Sequence, residues 1–279
     1  MKPLSLGYSP CPNDTFIFFP LVHGKVDTDG LTFREILEDV ETLNQMARES
    51  RLDITKASFH AFGHLRDDYC LLHSGGALGK GCGPLVVARE ELDVPDLRDK
   101  TIAIPGALTT AYLLLQIFAP AIGEKIKIMP FNEIIGAVVR GEVDAGLIIH
   151  ESRFTFEKAG LKKVIDLGDW WEKETGNPIP LGAILARRKL GPGLIEKIDR
   201  FIRSSVEYAF AHRGESLSYI KQHAQELQDD VINQHINLYV NEFSLELGTE
   251  GERAVKELFR RAEERGIMNI SRQPLFISY

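Results

Sequence analysis

Gly141-Glu-Val-Asp-Ala-Gly-Leu-Ile-Ile-His150 follows a helical run, roughly Asn132–Arg140, that stops at a glycine. Val143–Ile149 then reads as a buried strand that ends on a histidine. An apolar strand flanked by helices is the parallel-sheet pattern, and open parallel sheets bind ligands outside the carboxyl ends of their strands. The spacing therefore puts His150 where a ligand would sit, with Glu151, Ser152 and Arg153 beside it. A second copy of the phrase lies upstream, where the helix Asp39–Glu49 leads into Arg51-Leu-Asp-Ile-Thr-Lys-Ala-Ser58. In both copies a charged residue, an aliphatic residue and an aspartate (Asp53, Asp144) introduce a strand whose far end is polar. Two such units predict two lobes facing one cleft.

Working outward, the first strand is Leu4–Tyr8 and the loop after it, Ser9-Pro-Cys-Pro-Asn-Asp14, excludes helix because two of its six residues are prolines. Leu31–Leu37, Asp53–Phe59, Tyr69–His73 and Pro84–Ala88 continue the first unit as strands. After Arg89 come the strand Asp99–Pro105, the apolar helix Ala111–Phe118, the strand Lys125–Pro130, the helix Asn132–Arg140 and the strand Val143–Ile149. Such a βαβαβ series requires a parallel sheet with right-handed crossovers. Val164–Leu167 and Gly182–Arg187 are the last strands expected. Beyond them helices are predicted over Gly193–His212, Glu215–His223, Asp229–Val240 and Gly248–Arg265, with amphipathic spacing such as Leu194, Ile198, Phe201, Ile202 and Val206. A helical tail without strands must pack on an existing sheet, most simply the first. The expected division is residues 1–90 plus 186–279 for a larger, discontinuous lobe and 91–185 for the second. The chain would cross twice, near Arg89–Pro95 and Pro180–Arg187, giving a hinge with the cleft between α/β lobes, as in solute-binding proteins.

Composition narrows the function classes. A net charge of 33 − 40 = −7, with no long basic run, argues against nucleic-acid binding. The start, Met1-Lys-Pro-Leu-Ser-Leu-Gly-Tyr-Ser, lacks the apolar core of a signal peptide, and no run approaches membrane-spanning length, so a cytoplasmic protein is expected. Cys11, Cys70 and Cys82 lack paired metal-ligand spacing, and the eight histidines form no HExxH pair, so no metal site is indicated. Gly75-Gly-Ala-Leu-Gly-Lys-Gly-Cys-Gly83 is not a phosphate loop: three residues separate Gly75 from Gly79, and Gly81 follows Lys80 where Ser or Thr is needed. Its glycines instead point to tight turns and close backbone approach. Nothing in these features specifies an oligomeric state.

The candidate site residues lie where the strands end. Lys56 and Ser58 alternate with Ala57, so both face one side and form a polar grip on a cleft, or mean nothing on an exposed edge. Ser9, Asn13 and Asp14 border the same cleft, or simply shape their loop. Thr109 and Thr110 follow Pro105-Gly106 at a helix N-terminus. One threonine can cap the helix while the other faces an anion drawn by free N–H groups and the helix dipole. His150 is either a satisfied structural donor or a general base, for which neutral imidazole suits. Glu151 or Arg153 could hold its second nitrogen or a substrate charge, and the sequence leaves that choice open. No Ser–His–Asp set with motif context supports a nucleophilic serine.

Several long motifs resemble the 1,4-dihydroxy-6-naphthoate synthase family of the futalosine route to menaquinone. They are Ser9–Phe18, Leu37–Asn44, Ser74–Gly79, Gly141–Phe154, Pro180–Ala186 and Tyr239–Ser244. The resemblance implies a two-lobed periplasmic-binding-protein-like architecture (type 2) recruited as a cytoplasmic enzyme. It further implies conversion of cyclic dehypoxanthinyl futalosine to 1,4-dihydroxy-6-naphthoate and dihydroxyacetone by a carbon–carbon lyase without a cofactor. It implies His150 as proton acceptor, with Lys56, Ala57, Ser58, Thr109 and Thr110 at the substrate. Two competitors share the fold: chorismate dehydratase of the same pathway, and a non-catalytic protein that binds small carboxylates.

Overall fold

A computed structural model describes residues 2–122, 125–224, 228–269 and 271–277. The chain opens with β1 (Leu4–Tyr8), α1 (Pro12–Val22), β2 (Phe33–Leu37), α2 (Val40–Arg48), β3 (Ile54–Ser58), α3 (Phe59–Leu65), β4 (Tyr69–Leu71) and β5 (Ala77–Gly79). It continues through β6 (Leu85–Ala88), β7 (Ile102–Ile104), α4 (Thr110–Phe118), β8 (Ile126–Ile128), α5 (Phe131–Val139), β9 (Ala145–Ile148), α6 (Ser152–Thr155), β10 (Lys162–Asp166) and α7 (Leu167–Thr175). β11 (Ile179–Arg187) leads to α8 (Pro192–Ala211), α9 (Leu217–His223), α10 (Asp229–Tyr239), α11 (Glu242–Leu245) and α12 (Gly248–Glu264).

Two mixed sheets result. In the first, β2, β1 and β3 run parallel, and the long β11 lies antiparallel between β3 and the short strands β4 and β5. The second has the order β10-β6-β9-β7-β8, in which β9, β7 and β8 form the expected parallel βαβαβ unit. β6 and β10 extend it in antiparallel pairings. Local chemistry starts the helices beside the cleft. Contrary to the expectation that Ser9–Asp14 excludes helix, Pro12 opens α1, where its missing N–H costs nothing, so Asn13 and Asp14 lie in the first turn; the Asp39 side chain accepts the free N–H groups of Glu41 and Thr42 to begin α2. α8, α9 and α10 pack on α1 over the first sheet, as the tail's amphipathic spacing requires.

Three further expectations change. β6 precedes residue 91 yet belongs to the second sheet, and most of β11 precedes residue 186 yet belongs to the first, so sheet membership departs from the expected 1–90/91–185/186–279 division. The reason is that each crossing strand pairs where its apolar residues are covered on both faces, irrespective of the hydrophilic stretch nearby. β11 also starts before Gly182, because a register shift between Pro180 and Gly182 accommodates a residue with no N–H. Finally, the sheets are not joined by a bare hinge. One apolar core runs from Ala57, Phe59 and Phe62 through Leu113, Leu114 and Leu115 of α4 to Trp171 and Leu258. α4 touches α3, β11 and α12, so swinging one sheet away from the other would expose a packed interface.

The glycine-rich run finds its purpose at the first crossing. A Cβ on Gly83 would lie 2.7 Å from Gly168 Cα, and one on Gly168 would lie 2.0 Å from the Cys82 carbonyl oxygen. Backbone meets backbone here, leaving no room for a methyl group. Gly168→Ala should lower unfolding stability by about 1–3 kcal/mol or more, as overpacking does. Urea denaturation checks this; an unchanged midpoint would contradict so tight a crossing.

Candidate active site

Strand ends converge on a cavity of about 650 Å³, its mouth included, between the two sheets. Ser9, Asn13 and Asp14 reach it from the β1–α1 junction, Lys56 and Ser58 from β3, Thr109 and Thr110 from the start of α4, and His150 from the end of β9. Alternation along β3 turns Lys56 and Ser58 to the cavity and Ala57 into the core, so Ala57 is not one of the lining residues.

Lys56 and Asp14 are both buried, and Lys56 Nζ lies 2.9 Å from Asp14 Oδ1. Asp14 is otherwise saturated: Oδ2 accepts Ser9 Oγ (2.7 Å) and the Ser9 N–H (3.2 Å), and Oδ1 accepts Asn13 Nδ2 (2.8 Å). Ser9 of the loop and Asn13 of the first turn of α1 thus serve to hold a charge. Lys56 keeps donors to spare, since an ammonium has three and one is bound.

Both threonines lie at the cavity, but their hydroxyls are spent. Thr109 Oγ1 donates to the Gly106 carbonyl (2.8 Å) and accepts the Tyr112 N–H (3.3 Å), which is the capping role. Thr110 Oγ1 accepts the Phe59 N–H (2.9 Å) and donates to the Leu181 carbonyl (2.6 Å), riveting the second sheet's helix to the first sheet. The expectation that one threonine side chain offers its proton to a ligand is therefore corrected. What α4 presents instead is its first-turn N–H groups, of Thr110 and Ala111, which have no acceptor inside the helix and lie at the cavity wall. Ser58 sits beside them, next in sequence to Phe59, whose N–H Thr110 accepts. Its N–H donates to Asn44 Oδ1 (3.0 Å) and its Oγ accepts Asn44 Nδ2 (3.2 Å), so the hydroxyl proton can turn into the cavity. Asn44 was missed as a single residue, although the Leu37–Asn44 motif contains it.

His150 has φ 55°, the left-handed region, which a non-glycine residue occupies at a cost that clusters at functional sites. Its ring meets Phe131 edge-on at 5.0 Å and makes no hydrogen bond among the described residues. Burial pushes the imidazole down to about 4; Asp14 opposes that shift, Lys56 adds to it and Asp39 opposes it. It is therefore neutral near pH 7, with one ring nitrogen able to accept a proton. Neither flanking residue holds it. Arg153 turns away to the Gly83 carbonyl (2.8 Å) and to Asp166 (2.6 Å), bracing the glycine crossing, because that buried turn has carbonyls to satisfy. Glu151 lies off the cavity wall, its carboxylate 3.8 Å from His235 Nδ1. His235 escaped notice because it sits on the apolar face of α10 beside Val231, Ile232 and Ile236, where a histidine looks structural.

Among the described residues no group of three or more His, Cys, Asp or Glu is placed to hold a metal ion, and no helix is long and apolar enough to cross a membrane.

Two α/β sheets with their strand ends around one cavity define a protein of the periplasmic-binding-protein-like fold. The same fold is seen in a Candida albicans protein described as having the generic periplasmic binding protein fold, with TM-score 0.70 and 14% identity over 97% of this chain and 92% of that one. A crystal structure of an Archaeoglobus fulgidus protein gives TM-score 0.89 and 36% identity over 95% of this chain and 98% of that one. The sequence model described as menaquinone biosynthesis matches residues 4–264, and the chain belongs to that family. Two relatives bear the name 1,4-dihydroxy-6-naphtoate synthase. The one from Thermus thermophilus is 54% identical over 99% of this chain and 100% of its own length. The one from Streptomyces coelicolor is 46% identical over 95% of this chain and 94% of its own.

Removing the partner of a buried charge is the sharpest test of this site's energetics. Asp14→Ala leaves Lys56 unpaired and should destabilise the fold by about 3–5 kcal/mol, read by chemical denaturation. A loss below ~1 kcal/mol, the range of exposed pairs, would show that Lys56 reaches water.

Proposed function

We propose that this chain converts cyclic dehypoxanthinyl futalosine to 1,4-dihydroxy-6-naphthoate and dihydroxyacetone, acting as a carbon–carbon lyase in menaquinone biosynthesis. The observation that carries the reading is His150, a neutral imidazole in left-handed backbone, set across one cavity from a helix N-terminus and a buried lysine. The names of the Thermus and Streptomyces relatives support it.

The chemistry follows from the groups present. The substrate's ring carboxylate is held by the first N–H groups of α4, where the helix dipole favours an anion, with Ser58 beside them. A ketone acidifies the adjacent C–H, and His150 takes that proton. Lys56 offers its spare N–H groups to the enolate oxygen, a stabilisation worth more in a cavity shielded from water. The enolate then expels the three-carbon fragment and the ring aromatises. No net electron transfer occurs, so the step as written calls for no redox cofactor. Base catalysis contributes about 10²–10⁴-fold, and orientation and electrostatics supply the rest. A low basicity for His150 in the empty cavity is consistent with this role, because the arriving carboxylate raises it.

His150→Asn should retain substrate affinity but lower kcat by about 10²-fold or more. Since the active form of the base is neutral and its pKa is about 4, kcat/KM should hold steady down from neutrality and fall as pH drops through that value. Release of naphthoate from cyclic dehypoxanthinyl futalosine, with chorismate as the control substrate, is the assay. Near-normal turnover in His150→Asn, or tight binding of the futalosine derivative without change, would sink the reading.

A further inference from the structure

His235 is the buried histidine that the mechanism above leaves unused. It arrives from α10 with no exposed surface, and its ring lies 6.1 Å from that of His150 with 19° between the planes. Tyr239, one helical turn on, packs against it at 4.7 Å. Its Nε2 is 2.9 Å from Asn13 Oδ1. The other end of that amide donates to Asp14 Oδ1, and a carboxylate bound to Lys56 is there to accept. The amide's orientation is thus fixed by its neighbours, and the proton between His235 and Asn13 must sit on Nε2. Nδ1 is left buried without a hydrogen bond, 3.8 Å from Glu151 Oε2.

A residue so placed touches two parts of the site at once. Its ring fills space beside His150 that water would otherwise take. Its N–H closes the chain His235–Asn13–Asp14–Lys56, which aims the ammonium. We propose that His235 is a positioning residue, its ring keeping water from the base at His150 and its Nε2–H locking the chain that orients Lys56. This rests on the reading of His150 as the base.

Asp14 from α1, Asp39 before α2 and Lys56 from β3 act on His150 by charge; around it also lie Glu151, next in the chain, and His235 and Tyr239 from α10, while α5 offers only the Phe131 ring. Burial is the largest influence holding His150 down, and burial followed by His150 itself holds His235 further down. Water admitted beside His150 would therefore raise its pKa, and a base protonated at higher pH loses activity at higher pH.

Two variants separate the two roles. His235→Gln keeps a donor for Asn13 and removes the ring; His235→Phe keeps a ring and removes the donor. In the Gln variant the acid limb of kcat/KM should move up by about one pH unit or more, with KM changed by about twofold at most. In the Phe variant the limb should stay, while KM rises about tenfold because Asn13 and Lys56 are no longer held. A purely structural histidine would lower the folded fraction, seen by circular dichroism, and leave the limb and KM of the remaining enzyme unmoved in both. That result overturns the proposal. NMR titration of histidine-labelled protein reads the His150 pKa without any turnover. An unmoved pKa in His235→Gln overturns the shielding role whatever the substrate. A raised pKa in a protein whose wild type ignores cyclic dehypoxanthinyl futalosine supports the positioning role and retires the enzymatic reading alone.

Discussion

A buried lysine must be paired, and most of the first sheet's contribution to the site follows from that requirement. Taking the ammonium of Lys56 out of water costs several kcal/mol unless an anion and further hydrogen bonds meet it. Asp14 supplies the anion. To be a good partner Asp14 must itself be held, which occupies Ser9 in the loop, Asn13 in the first turn of α1 and, through Asn13, His235 on a helix more than two hundred residues further on. A surface ion pair would demand none of this. The expense makes sense where a fixed positive charge is wanted inside a cavity, and the same enclosure keeps His150 neutral.

The second constraint is the way α4 is anchored. Thr110 spends its hydroxyl on Phe59 and Leu181, and Leu108 is gripped by Glu41 and Asn44 of α2. The helix end that faces the ligand is therefore fixed relative to Ser58 beside it. An apolar core that runs through α4 packs the two sheets together on that side. Preorganisation of this kind suits a site that must present an anion anchor and a base at set positions.

Much of this was legible in the sequence, for reasons that differ from residue to residue. The βαβαβ unit around Val143–Ile149 could be read because its strands are apolar runs broken by helical spacing and glycine, and the rule that ligands gather at strand carboxyl ends then located His150, Lys56 and Ser58. The short strand β5 and the helices α3 and α7 were not legible, because a three-residue strand in a glycine-rich stretch has no period, α3 is buried on nearly every side and has no polar stripe, and α7 buries only Leu167, Gly168 and Trp171, too few to show a helical period. Side-chain direction was the harder problem. Spacing put Thr109 and Thr110 at the cavity, but only the packing of α4 on Phe59 and Leu181 turns the Thr110 hydroxyl away. Arg153 sits next to the base in sequence, yet two unsatisfied carbonyls in the glycine crossing claim it. His235 and Asn44 act over distances in sequence that no local pattern spans.

The central claim is that one cavity holds a carboxylate at the start of α4 and presents a carbon acid to His150. A crystal structure of His150→Asn with cyclic dehypoxanthinyl futalosine bound tests it most directly. The account predicts the carboxylate within hydrogen-bond reach of the Thr110 and Ala111 N–H groups, the ketone oxygen toward Lys56, and the adjacent carbon within about 3.5 Å of the side chain at position 150. A carboxylate seated on Lys56 with the helix end unused, or a substrate lying outside this cavity, would contradict it.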